Sequence, residues 1–335
     1  MKKLIKKYIP PFILFLKEAT PVYLNDLRRF YKHSSIAGYH TEDNKLLGKI
    51  IERYHSIEKG LTMPDLRLGF GKQQLIELIK DCICFVNTFG QDNEQLVHAV
   101  GVVLEYESVH NNHEYKLDDD LLEYIRILRD SITTHISIEE QKIVARDSYF
   151  KHSDDPFNLF SNSRKSIRNW CEEEVNVDTL IQAVSLAQNA PSACNRQTSR
   201  AYIYEDKEQI NALLKVQGGN RGFGHLANKL IIITADLGVF GFLSERNQCF
   251  VDGGIFAMNL LYSLHHNKIA ACILNCATSI ENDLKIRTLS GNIKDSQVVI
   301  AMIACGIPPD SFSVTISKRY PINQVCVVSG CDSNK

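Results

Sequence analysis

Between positions 164 and 168 the chain places three cations and a hydroxyl side by side: Arg164-Lys165-Ser166-Ile167-Arg168. Two guanidinium forks beside a hydroxyl suit a phosphate and the carbonyl edge of a flat heterocycle, because each guanidinium offers paired donors in a fixed plane. If the segment begins a helix, Arg164 and Arg168 share a face, four residues apart. A second segment, Ala190-Pro191-Ser192-Ala193-Cys194-Asn195-Arg196-Gln197, stops a helix at a proline and continues in small and amide residues. Such residues let backbone approach a flat ligand closely. Leu274-Asn275-Cys276 and Gly306-Ile307-Pro308 each follow a strand-like run, and Lys318-Arg319-Tyr320-Pro321 comes after them. A late basic pair can close a phosphate site. Taken singly, each segment also reads as an ordinary turn.

The elements that would position these residues change character near residue 150. From Leu46 to Ile143 apolar residues recur at helical spacing, as in Leu75, Ile76, Ile79, Ile83 and Val86, then Leu121, Leu122, Ile125 and Leu128. Tyr149 to Arg164, rich in Ser, Asp, Pro and Asn, reads as a connecting loop. Beyond it helix and strand patterns alternate. Asp178 is placed to cap a helix through Leu180, Ile181, Val184 and Ala187 that Pro191 ends. Strands are expected at Ala201–Tyr204, Leu230–Ala235, Ala270–Leu274 and Val298–Ala304, with a long apolar helix over Val251–His265. The expected organisation is a helical region over 1–150 and an α+β domain over 160–328.

Length and composition set the bounds. The 335 residues are 44% hydrophobic and 23% charged, the balance of a globular chain with room for one large or two ordinary domains. A net charge of −1 gives no global field for nucleic acid, and no basic patch with interleaved aromatics stands out. The ten cysteines are scattered, with no CxxC and no Cys and His set at zinc spacing. They read as small buried hydrophobes in a reducing, cytoplasmic setting, with no metal site expected. Met1–Lys7 is basic, and Ile9–Leu16 is apolar apart from two prolines. The run is far short of the ~20 residues that span a bilayer. Lys17, Glu18, Arg28 and Arg29 follow where a signal peptide would have its cleavage site. A basic amphipathic segment on an anionic membrane surface is one reading. A first helix packed on its own protein is the preferred one.

Together and in this order, the segments resemble the FMN-dependent nitroreductase family. Arg164–Arg168 looks like that family's R-R-S-x-R. Ala190-Pro191-Ser192 with Asn195 and Gln197 looks like A-P-S-x-x-N-x-Q. Asp252–Leu261 is similar to the central helix, D-x-G-x-x-x-x-N-L-L, and Gly306-Ile307-Pro308 with Arg319-Tyr320-Pro321 matches the closing G-x-P and R-x-P. The resemblance covers about residues 160–328. It implies a mostly antiparallel sheet flanked by helices, and a homodimer with FMN at the subunit interface. It further implies ping-pong hydride transfer from NADH or NADPH, through flavin N5, to an electron-poor small molecule.

Carried over by position, Arg164, Ser166 and Arg168 would hold the FMN phosphate, ribityl chain and pyrimidine edge, with Lys165 at a position of variable basic residues. Arg168 would stabilise negative charge near N1 and C2=O. Pro191, Ser192, Ala193 and Asn195 would approach the flavin from the partner subunit. Asn220 would lie near the ring, the backbone at Leu274 and Asn275 would turn an N–H towards N5, and Arg319 would complete the phosphate site. No side-chain nucleophile is required. The chain departs from the pattern at Thr198 and Ser199 (usually Pro then Trp), at Ser317 (usually basic) and at Lys268 (usually Gly). Gly219–Gly224 echoes a dinucleotide fingerprint at the wrong spacing.

In the first half, His55-Ser56-Ile57-Glu58-Lys59-Gly60-Leu61 is similar to an extension on some nitroreductase-like proteins associated with surface polysaccharide genes. His55 and Glu58 would then sit over the flavin. The preferred reading is a helix ending at Gly60. Glu107, His110 and His113 read as a polar helix end. Two other functions stay open: a specialised flavin oxidase or dehydrogenase in a biosynthetic pathway, and a catalytically silent dimeric homologue.

Overall fold

A computed structural model describes residues 10–133, 136, 138 and 140–329. The basic stretch Met1–Lys7 lies outside the described residues. Two compact units are present. The first comprises residues 1–60, 68–140 and 317–335, and the second residues 61–67 and 141–316.

The first unit is helical: α1 (Pro11–His33), α2 (Asp43–Leu61), α3 (Lys72–Phe89), α4 (Glu94–Asn112) and α5 (Asp119–Ser131). Its core is the apolar stripe that the spacing of Leu75, Ile79, Leu121, Ile125 and Leu128 predicts, all nearly or fully buried. Asn93 starts α4 by accepting from the Gln95 and Leu96 amides. Gly60 lies beneath the Phe70 ring, where any Cβ would collide. The expectation of a packed first helix is corrected. Ala19 is the only buried residue of α1, and most of its large apolar side chains face outward.

The second unit holds a four-stranded sheet of β2 (Ser199–Tyr204), β3 (Lys229–Asp236), β4 (Ala270–Asn275) and β5 (Gln297–Gly306), in the order β2-β3-β5-β4. Every pairing is antiparallel. A separate ribbon pairs β1 (Lys142–Ala145) with β6 (Ser311–Val314). The remaining helices are α6 (Arg146–Phe150), α7 (Phe157–Ser163), α8 (Val177–Ala187), α9 (Lys207–Gln217), α10 (Gln248–His266), α11 (Ile280–Ser290) and α12 (Ile322–Val325), the last belonging to the first unit. β3 is buried along seven of its eight residues, because helices cover both faces of this inner strand. One face packs against Leu180, Leu260 and Leu264 of α8 and α10, the other against Ile210 and Leu213 of α9.

Three local expectations are corrected. The expected loop over 149–164 contains α7, because Phe157 and Phe160 pack on Tyr262, and ring burial outweighs the polar composition. Asn176, not Asp178, caps α8. Its Oδ1 accepts from the Asp178 amide at 2.7 Å, leaving Asp178 in the first turn, where an acid suits the helix dipole. Residues 164–170 are not helical.

Candidate functional site

The Arg164–Arg168 segment is non-helical and lies against β4, an outer strand of the sheet. The Ile167 amide donates to Ala271 O at 3.1 Å, and Arg164 has extended dihedrals, φ −64° and ψ 123°. Extended backbone alternates its side chains, so Arg164, Ser166 and Arg168 fall on one side. Ile167 turns the other way, into the core. Trp170, the only tryptophan, pins the segment's far end. Its Nε1 donates to Ala270 O at 3.0 Å, and its ring covers Gly306 so closely that a Cβ there would come within 2.9 Å. The Cys171 amide then donates to Ile307 O at 2.9 Å, which joins the first motif to Gly306-Ile307-Pro308. Tyr149 holds the near end, its hydroxyl donating to Lys165 O at 2.9 Å.

The guanidinium groups are half-buried and carry little other work. Among the described residues, neither Arg164 nor Arg168 has a carboxylate partner, and Arg168 makes one long contact, Nη1 to Thr315 Oγ1 at 3.5 Å. Behind Arg164 sits His265, buried in α10. The Ser163 hydroxyl donates to Phe160 O at 2.8 Å, so it accepts from His265 Nε2–H at 2.7 Å. His265 Nδ1 is then a bare, buried acceptor with no partner. Burial first, then the Arg164 charge, push this imidazole down to about 4.

The Ala190–Gln197 segment follows α8 and leads into β2, the opposite outer strand. Asp252, buried at the start of α10, accepts from the Ala193 amide (3.2 and 3.3 Å) and from Gln248 Nε2 (2.9 Å). The Ser192 hydroxyl accepts from the Gln197 amide at 2.9 Å. Cys194, Asn195 and Gln197 all have φ near +50°, a tight left-handed path that amides tolerate better than β-branched residues. Arg196 braces the turn through Glu245, at 2.5 Å. Pro191, Ser192, Asp252 and Phe256 line a cleft of about 80 Å³. Thr198 is absorbed by the fold: fully buried, it donates to Asp236 O at 2.7 Å, while Ser199 opens β2.

Leu274 and Asn275 end β4, Leu274 buried and Asn275 exposed. Asn220 reaches the same region through Gln217. Its Nδ2 donates to Leu214 O (2.5 Å) and to Gln217 Oε1 (2.9 Å), and Gln217 Nε2 donates to Asn275 O at 3.0 Å. The Asn220 amide N–H groups therefore close the end of α9. The Gly219–Gly224 turn runs from helix to strand, the reverse of a dinucleotide fingerprint. Cys276 is half-buried, and burial pushes its thiol up to about 12, far from a reactive thiolate. Lys268 has φ +57° just past α10, which accounts for glycine at this position in the family pattern.

Thus one chain gathers Arg164, Lys165, Ser166, Arg168, Asn220, Leu274 and Asn275 on the β4 side, and holds Pro191, Ser192, Ala193 and Asn195 at the β2 side. Arg319 falls in the first unit, near enough to Tyr54 for their charges to interact. The sequence reading did not single out Tyr149, Trp170 or Gln217. Trp170 carried a signal, as the lone tryptophan two residues after Arg168.

In the first unit, Glu58 is fully buried between two imidazoles, His98 Nε2 at 2.8 Å and His55 Nδ1 at 3.2 Å. Burial raises its pKa, but the two imidazole contacts outweigh burial and hold it below the carboxylate range. Tyr54 donates to Gln95 Oε1 at 2.6 Å beside it. His110, expected at a polar helix end, is fully buried. Its Nδ1 pairs with Tyr106 O, and its Nε2 accepts from the Gly69 amide, which suits a neutral ring. Among the described residues, no group of His, Cys, Asp and Glu could hold a metal ion.

Residues 162–307 match the family model described as Nitroreductase family. Among solved structures, a candidate NADH oxidase from Clostridium acetobutylicum is 23% identical, with 50% of this chain and 98% of that chain covered and a TM-score of 0.44. A candidate nitroreductase from Desulfovibrio desulfuricans, solved with FMN, is 19% identical, covering 52% and 97%, with a TM-score of 0.45. An FMN-dependent nitroreductase from Clostridium difficile is 22% identical, covering 49% and 92%, with a TM-score of 0.40. No curated protein matches the chain. The stretch that matches the nitroreductase family model, residues 162–307, holds the whole four-stranded antiparallel sheet, and the described residues 11–131 that precede it are mainly helical.

Proposed function

We propose that this protein is an FMN-dependent NAD(P)H oxidoreductase that works as a homodimer. The observation that carries the reading is the pair Arg164 and Arg168, two half-buried cations without carboxylate partners, lying with Ser166 along β4 inside the family segment. Buried cations are ordinarily paired, so this set suits an anionic ligand with a phosphate. When bound, FMN supplies hydride acceptance from reduced nicotinamide at N5 and its delivery to an electron-poor acceptor in a ping-pong cycle. Arg164 and Ser166 would bind the phosphate and ribityl chain. Arg168 would face the pyrimidine edge and favour negative charge there. Asn275, held through Gln217, would present backbone to the ring.

The homodimer rests on the separation of the motifs. Pro191–Asn195 and Arg164–Arg168 sit at opposite edges of the sheet, so a second copy is what would bring them to one flavin. Val251, Ile255 and Met258 expose an apolar stripe on α10, and apolar faces of this kind mark subunit contacts.

The test is the visible spectrum of purified protein and identification of the released chromophore, for the parent and for Arg164→Ala with Arg168→Ala. Yellow parent protein that yields FMN, beside a colourless double variant, is the expected result. Unchanged flavin in the variant would refute the site, and a dimeric parent that cannot be reconstituted with FMN would refute the activity.

A further inference from the structure

Helix α1 combines three features. Along its length Phe12, Ile13, Phe15, Leu16, Tyr23, Leu24, Leu27, Phe30 and Tyr31 are all exposed, Phe12 at 67% and Phe30 at 62%. At about 100° per residue these side chains fill one continuous half of the helix circumference. Lys17, Arg28, Arg29 and Lys32 occupy the other half with Glu18, and Asp26, the helix's other acid, falls within the apolar arc. Residues 1–33 hold eight Lys and Arg against two Asp and Glu, a net +6 in a chain whose total is −1, which leaves −7 on the rest.

We infer that α1 is a docking element for an anionic lipid surface, lying flat with its aromatic face among the acyl chains. The width of the face argues for a bilayer over a second helix. A coiled-coil seam needs only the narrow a and d stripe, whereas an interfacial helix buries a broad face and keeps lysine and arginine at the headgroups. The charge distribution argues for an anionic surface. The basic segment is drawn to it while the acidic remainder stays in solution. No helix among the described residues is long and apolar enough to cross a membrane, so the contact is peripheral.

The full-length protein is mixed with phosphatidylcholine vesicles, with or without about a third phosphatidylglycerol, and floated on a density gradient. Two variants accompany it, Leu27→Glu with Phe30→Glu on the apolar face, and Arg28→Glu with Arg29→Glu on the basic face. Circular dichroism and gel filtration check fold and oligomeric state. The parent is expected to float with the anionic vesicles and to release them as salt rises. Each double variant should bind at least about tenfold more weakly, a cation near such a surface being worth roughly fivefold. A parent that ignores anionic vesicles overturns the inference. So does a Leu27→Glu, Phe30→Glu variant that floats like the parent but has lost its dimer, since the face would then cover a second copy.

Discussion

His265 makes an acid sensitivity visible in a single ring. With Nε2–H given to Ser163 and Nδ1 left bare in the core, a second proton has no acceptor to meet. The folded ring titrates at about 4 against 6.5 for a free one. Unfolding therefore takes up a proton between those values and is favoured by acid. The contribution is complete above about pH 6.5 and is lost as pH falls towards 4, an effect of about 3 kcal/mol. Urea unfolding of the parent and of His265→Gln across pH 4–7 checks this, with the slope in that window expected to flatten in the variant. Lys268 offers the opposite kind of test. Its left-handed backbone costs a lysine what a glycine avoids, so Lys268→Gly should gain about 1 kcal/mol and raise Tm by about 2 °C. Here the sequence marked the place only as a departure from the family's usual glycine, and the positive φ that explains it came from the fold. What the sequence concealed was the identity of the braces. Tyr149, Gln217 and Trp170 act through backbone carbonyls far along the chain, and no local spacing announces such partners.

Among the elements, apolar patterning was the most legible signal. β3 and β5 lie where buried β-branched runs placed them, within a residue or two at each end, because an inner strand covered on both faces must be continuously apolar, and the outer strand β4 begins where its apolar run does. The helices of the first half followed equally from their stripes. Elements whose stability comes from tertiary contacts were hidden. α7 forms beneath Tyr262 within a polar stretch, and the cationic segment is extended rather than helical because β4's open edge takes its Ile167 amide. Docking of that segment depends on one missing Cβ. In Gly306→Ala the new methyl would meet Trp170 Cδ1 and Cγ at 2.9 Å, and overpacking of this kind costs about 1–3 kcal/mol. Calorimetry should show a lower Tm. Flavin retention should weaken with it, because Arg168 lies two residues from the displaced indole.

At the scale of the whole molecule, the proposed dimer and the proposed flavin site stand or fall together. Val251→Asp with Ile255→Asp places carboxylates on the exposed face of α10 without touching the core side of the helix. Sedimentation should show a monomer, and because Pro191–Asn195 would then no longer reach the other copy's Arg164–Arg168, the monomer should be colourless. A colourless dimer would separate the two ideas. The β1–β6 ribbon carries a different consequence, one of timing. Among the described residues, Lys142–Ala145 has its strand partner only in Ser311–Val314, with the entire four-stranded sheet between them in sequence. On the ribosome β1 emerges long before β6 exists. α3, α4 and α5 of the first unit draw on contacts with one another, close in sequence, whereas β1 must hold an open strand edge until Ser311–Val314 has been made.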